Sequence, residues 1–345
     1  MNLNMSNFKK PFYYLFPIVG LNIVPDNTYN DFLFDNSTLL NKTEFIENFL
    51  PKDNPCKVNY ENEVGIIHPD EIDFTNTNNT GKKYISSINN SFLLTKFFKY
   101  DDKKEKILIN RATAIGSLIA FAFLIESNFE TIISLSKDVY FTGYSRTKAI
   151  DSQCLNIIER TQMIPEAIHF SLPEKPFEFT RTEVKSILQT RYVNPIYNVI
   201  IGKNNLNGCK KRLVEALKFY ISSLNSPNLN LQFLGSMISV ELMLRNGTKD
   251  NYENIKKRAE KLVPEKYNID YYMKCRFQSR HDFVHKGIFP RKNIVIDSIY
   301  YASIALIEFA NLVHNANIEN ILDYLSNAKN IQHIFNGWEK HKLLS

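Results

Sequence analysis

The chain has few cysteines and keeps them apart. Cys56, Cys154, Cys209 and Cys275 include no CxxC pair, which argues against a zinc ribbon and a disulfide framework and fits a reducing cytoplasm. Long apolar runs are also missing. The longest read from the sequence, Ala114 to Ile125, falls well short of the roughly 20 residues of a membrane helix. Lys9-Lys10 precede an apolar stretch, but Pro11, Pro17 and Gly20 interrupt it and no small-residue cleavage site follows, so no signal peptide is expected. There is no GxxxxGK phosphate loop, GxGxxG, GxSxG, HExxH or EF-hand pattern. The sequence therefore gives no reason to expect a metal or a cofactor.

What is present is an ordinary globular composition, 44% hydrophobic and 23% charged over 345 residues, enough for two domains with separate cores. Asparagine is abundant but dispersed, which reads as compositional drift rather than a prion-like tract. The net charge of +6 is placed unevenly. Residues 1–204 hold 22 Lys+Arg against 23 Asp+Glu, whereas residues 205–345 hold 20 against 13. A basic domain favours polyanions, although surplus lysine is commonly just a solvated surface.

Residues 1–204 read as a mixed α/β domain with a regulatory or sensing role. Pro11 to Gly20 suggests one or two short edge strands, Val64–His68 and Val139–Phe141 are further strand candidates, and Pro69–Lys83 reads as a long polar loop. Arg111–Glu126 and Thr182–Thr190 read as helices. From about residue 205 the apolar spacing becomes helical, predicting helices over Cys209–Leu224, Leu229–Leu244, Tyr252–Val263, Tyr271–Val284, Asn293–His314 and Ile318–Ala328, then an amphipathic tail with Ile331, Ile334, Phe335 and Trp338. Short polar turns between them predict a bundle of antiparallel neighbours. The fold class is thus α+β.

One stretch carries chemistry: Arg280-His281-Asp282-Phe283-Val284-His285-Lys286-Gly287. An imidazole moves protons near neutral pH, and a guanidinium grips a phosphate with two parallel hydrogen bonds. As a bare spacing, Arg and His separated by four to six intervening residues is weak, since this composition supplies about 0.7 matches by chance; the chain has Arg276/His281 and Arg280/His285. The context adds weight, because the motif closes a helix in the basic half, just before a Lys-Gly turn.

On these residues the chain resembles the HEPN superfamily, and more closely its Apea-like branch, where a helix ends in Arg, a polar residue, two others, then Val-His and a nearby Gly. Val240-Glu241-Leu242 and Lys257-Arg258-Ala259 are similar to the upstream helices of that branch, and Pro17 to Leu21 is loosely similar to its opening segments. Lys286 stands between His and Gly, where many relatives have the two adjacent. The resemblance covers about residues 205–330. It implies a C-terminal all-α HEPN-type helical bundle over residues 205–345, a metal-independent endoribonuclease acting on RNA as a homodimer, and a role in antiviral defence or as a toxin.

In that reading His285 and His281 transfer protons and Arg280 stabilises phosphoryl charge. Arg280 and His285 lie about 140° apart on an ideal helix, so a second copy across a two-fold axis would complete the site. Asp282 orients an imidazole or is simply solvated; Glu241 contacts Arg280 or Arg258; Arg276, Lys286, Arg291 and Lys292 are candidate RNA-binding cations. Lys256-Lys257-Arg258 reads as a solvated face. His281 and His285 at i, i+4 would suit a metal, but no third ligand is evident. The alternatives are a non-catalytic HEPN module that dimerises or binds RNA or protein, and a helical nucleotide-binding module.

Overall fold

The computed structural model describes residues 12–19, 21–26, 34, 37–41, 44, 91–97, 102–126, 134–135, 177–202, 208–226, 228–247, 250–264, 269–314 and 320–337. The strand candidates at 64–68 and 139–141, the loop at 69–83 and Trp338 lie outside them. The described chain is mostly helical, with its strands in the N-terminal part, which is compatible with an α+β class. It divides into two compact units, one of residues 1–116 with 133–186, the other of 117–132 with 187–345.

In the first unit, β1 (Phe12–Val19), β3 (Ser37–Asn41), β4 (Ser91–Phe97) and β5 (Ser134–Leu135) form an antiparallel sheet in the order β3-β4-β1-β5. β1 is therefore an interior strand of eight residues, where a short edge strand was expected. β5 pairs only with Ile18 and Val19, so Pro17 is paired on one side alone, with Phe92 of β4. β2 (Leu21–Ile23) pairs in parallel with β6 (Phe177–Phe179).

β6 leads directly into α2 (Arg181–Leu188), which opens on a reciprocal capping box. The Thr180 N–H donates to Glu183 Oε2 at 2.7 Å and the Glu183 N–H donates to Thr180 Oγ1 at 3.2 Å. Arg181 is 1% exposed and its fork grips both oxygens of Glu44 at 2.7 Å. It also bonds the Leu39 carbonyl at 3.2 Å and the Asp26 carboxylate.

α1 (Asp102–Glu126) begins nine residues before the expected helix, and its residues 114–124 are buried throughout. Its opening turns are lysine-rich and lack the apolar repeat that marks a helix in sequence.

In the second unit, which joins 117–132 to 187–345, α3 (Asn194–Ile201) packs against the helices that follow. Those are α4 (Gly208–Leu224), α5 (Leu229–Leu244), α6 (Tyr252–Leu262), α7 (Ile269–Lys286), α8 (Lys292–His314) and α9 (Ile321–Asn327). Asn228, Asn251 and Asn320 cap α5, α6 and α9 through their side chains. Part of the asparagine surplus therefore starts helices. At the α4–α5 crossing, a Cβ on Gly235 would lie 1.9 Å from Ser223 Cβ, so only glycine permits this approach.

α8 lies against α3, α4 and α5, and its residues 301–313 are all buried. By length and composition α8 could cross a membrane, although 67% of its apolar window is buried within the fold. At 23 residues it is longer than the run at Ala114–Ile125, with Ser and Asn placed among its apolar residues. Phe233, Met237 and Val295 join α5 to α8, and Tyr220 links α4 to α8 through Ser303 Oγ at 2.6 Å.

Residues 328–337 run without helix. The buried carboxylate of Glu308 on α8 accepts the N–H groups of Ile334 and Phe335 at 3.3 and 2.6 Å. Phe335 is buried, so the segment is held by its backbone as well as by an apolar anchor.

Candidate functional site

α7 carries the motif, and it runs two residues further than the sequence indicates, so His285 and Lys286 are helical. Gly287 ends it with φ +67°, a left-handed turn that L side chains rarely adopt. The Gly287 N–H bonds to the Phe283 carbonyl at 3.1 Å and the Ile288 N–H reaches back to Asp282 at 3.1 Å. His285 and Lys286 lie in the last turn, where a basic group meets the negative end of the helix dipole.

Arg280, His281, Val284 and His285 line one side of a cleft of about 770 Å³, and Glu241 and Arg245 of α5 line the other. The start of α6, with Tyr252, Glu253 and Lys256, closes one end. Arg280 is paired with Glu241, the arginine side chain 32% exposed and the glutamate side chain 10% exposed. Burial pushes the Glu241 carboxyl above the usual carboxylate range, against the opposing pull of Arg280 and Arg245. Of the two partners considered for Glu241, Arg280 is the one observed.

His281 and His285 are both exposed, with ring centroids 4.8 Å apart and planes tilted by 42°. This is the i, i+4 neighbourhood the helix dictates. Among the described residues no hydrogen bond joins Arg280 to His285, in keeping with their angular separation. No group of three or more His, Cys, Asp or Glu side chains placed to hold a metal ion occurs among the described residues.

Among the described residues Asp282 hydrogen-bonds to its i±4 neighbours and to neither imidazole. Its Oδ1 accepts from Lys286 Nζ at 2.8 Å and from Gln278 at 2.9 Å. Lys286 chiefly holds its carboxyl below the ordinary range. Lys286, Arg291 and Lys292 are exposed, but none lines the cleft. The side chain of Arg276 lies outside the described residues.

The basic run on α6 is not one solvated face. Lys256 lines the cleft, Lys257 is exposed, and Arg258 is buried. Arg258 pairs with Asp250 and bonds the Leu244 carbonyl at 2.9 Å and Ser326 Oγ at 3.1 Å. It clamps the end of α5, the following turn and α9. Asp250 loses solvation there, yet hydrogen bonds from the Asn246 N–H, Arg258 and Asn254 lower its pKa.

Sequence reasoning did not single out Arg245, Tyr252 or Lys256. The spacing of Glu241 and Arg245, one turn apart on a helix, was the available signal for the first. Comparison of the chain with models of known families, with curated proteins and with solved structures returns no match.

Proposed function

We propose that the chain is a HEPN-type endoribonuclease that cuts RNA without a metal, as a homodimer, and that it serves in antiviral defence or as a toxin. The observation that carries this reading is one cleft holding a partly exposed arginine side chain and two exposed, neighbouring imidazoles. One imidazole takes the proton of a ribose 2′-OH as its oxygen forms a bond to phosphorus. The other gives a proton to the 5′-oxygen as the P–O5′ bond breaks, leaving a 2′,3′-cyclic phosphate and a 5′-hydroxyl. Arg280 stabilises the charge on the phosphoryl oxygens, while Glu241 takes one edge of its fork and leaves the other edge for substrate.

The angular separation of Arg280 and His285 favours a site completed by a second copy. Val284, Ile288 and Phe289 beside the motif are 54%, 56% and 68% exposed, an apolar surface that such a copy would cover.

The second reading is a non-catalytic HEPN module, and the Arg280–Glu241 pair supports it by giving the arginine a structural partner. The test is incubation of purified protein with cellular RNA in EDTA, beside Arg280→Ala and His285→Ala. Cleavage that survives chelation and is lost in both variants supports the ribonuclease. Absence of cleavage with dimerisation intact supports the module. Ile288→Asp should weaken the dimer and reduce cleavage at low protein concentration, checked by ultracentrifugation.

A further inference from the structure

The cleft holds a second arginine outside the motif. Arg245 caps the C-terminus of α5, one turn beyond Glu241. Its backbone is fixed on both sides: its N–H bonds to the Glu241 carbonyl at 2.9 Å, and its carbonyl accepts from the Arg212 guanidinium. Its side chain is exposed, lines the cleft and, apart from its charge attraction to Glu241, makes no hydrogen bond or ion pair among the described residues. An anchored main chain with an unengaged fork is how a positioned anion donor is built.

The cleft's acids do not fill that role. Glu241 is taken by Arg280, and Asp250 is taken by Arg258, the Asn246 N–H and Asn254. Glu253 sits in the first turn of α6, where a carboxylate favours the helix dipole. Arg245 and Arg280 thus flank one buried carboxylate from two helices, and both open on the cleft that holds His281 and His285. At about 770 Å³ the space exceeds what a single phosphate and its ribose fill, and lies within the ~300–1,000 Å³ of ligand sites.

We infer that Arg245 is a substrate-contacting residue: it grips a phosphate of the RNA strand next to the phosphate held by Arg280. The cleft would then take consecutive phosphodiesters of a single strand. This rests on the ribonuclease reading for the identity of the strand, but binding is measured apart from cleavage. The probe is a 2′-O-methyl RNA oligonucleotide, which lacks the attacking hydroxyl. Its affinity is measured over a range of salt for wild type, Arg245→Ala, Arg245→Lys and the control Lys211→Ala, an exposed α4 cation outside the cleft.

Arg245→Ala should bind roughly tenfold more weakly and shallow the log–log salt slope by about 1. Arg245→Lys should regain part of the affinity and the whole slope, while Lys211→Ala stays within about twofold of wild type. Wild-type affinity and slope in Arg245→Ala, or no binding by the wild-type chain, overturns the inference. If wild type fails to cut unmodified RNA in EDTA yet Arg245→Ala still loses affinity, the ribonuclease reading falls and this one stands.

Discussion

Arg181 in the first unit and Arg280 in the second are both paired with a glutamate from another element, and they do opposite things. Arg181 is 1% exposed, and its fork is taken up by Glu44, Asp26 and the Leu39 carbonyl. The Arg280 side chain is 32% exposed and, among the described residues, pairs with Glu241 alone. The first has no donor to offer a ligand and holds strand ends to the start of a helix. The second keeps donors facing a cleft. A guanidinium's role follows from how many of its donors the protein already uses, not from the presence of a carboxylate beside it.

The largest break in this comparison should come from Arg181→Ala. It strands two carboxylates in a buried site and should cost about 3–5 kcal/mol. Calorimetry should show a Tm well below wild type. Arg280→Ala should shift Tm far less while removing RNA cleavage by about 100-fold or more. Equal losses of Tm in the two variants would erase the distinction.

A smaller effect sharpens it through pH. Glu241 has a raised pKa, so the folded state binds its proton more tightly than the unfolded state does. Ionising it therefore costs stability as pH rises above the ordinary value of 4.5. Removing Arg280 removes an influence that lowers this pKa. The Tm deficit of Arg280→Ala should vanish below about pH 4 and grow toward neutrality. Asp250→Asn has a different origin. The Asp250 pKa is lowered from 3.8, so its contribution is present above that value and lost as pH falls through the lower folded value. Melting curves between pH 3 and 8 distinguish the two, because the Asp250→Asn deficit should persist at acidities where that of Arg280→Ala has gone.

The smallest expected change is at the end of α7. Gly287→Ala meets nothing within 4 Å but must hold φ +67°, so it should cost about 1 kcal/mol in chemical denaturation. A null result would mean that the turn relaxes without the left-handed residue.

The helices of the second unit were legible because apolar spacing is a local signal. Leu229–Leu244 was read to the residue, and α4, α6 and α8 to within a residue or so. The first unit was harder. Ser37–Asn41 and Ser91–Phe97 are short, and their pairing with each other and with β1 joins residues far apart in sequence. The motif was visible as residue types, but its partners were not. Lys256, Lys257 and Arg258 look alike in sequence, yet helix rotation sends one to the cleft, one to solvent and one to a buried clamp. Arg245 escaped notice for the same reason: only the fold shows which arginines have donors to spare.

The central claim is that the donors left over at Arg280 and the neighbouring imidazoles act on RNA. The most direct measurement is end-group analysis of RNA incubated with the whole chain in EDTA. The account predicts 2′,3′-cyclic phosphate and 5′-hydroxyl ends from the wild-type protein and none from folded His285→Ala or Arg280→Ala. Undiminished cleavage by either variant, or ends bearing a 5′-phosphate, would contradict it.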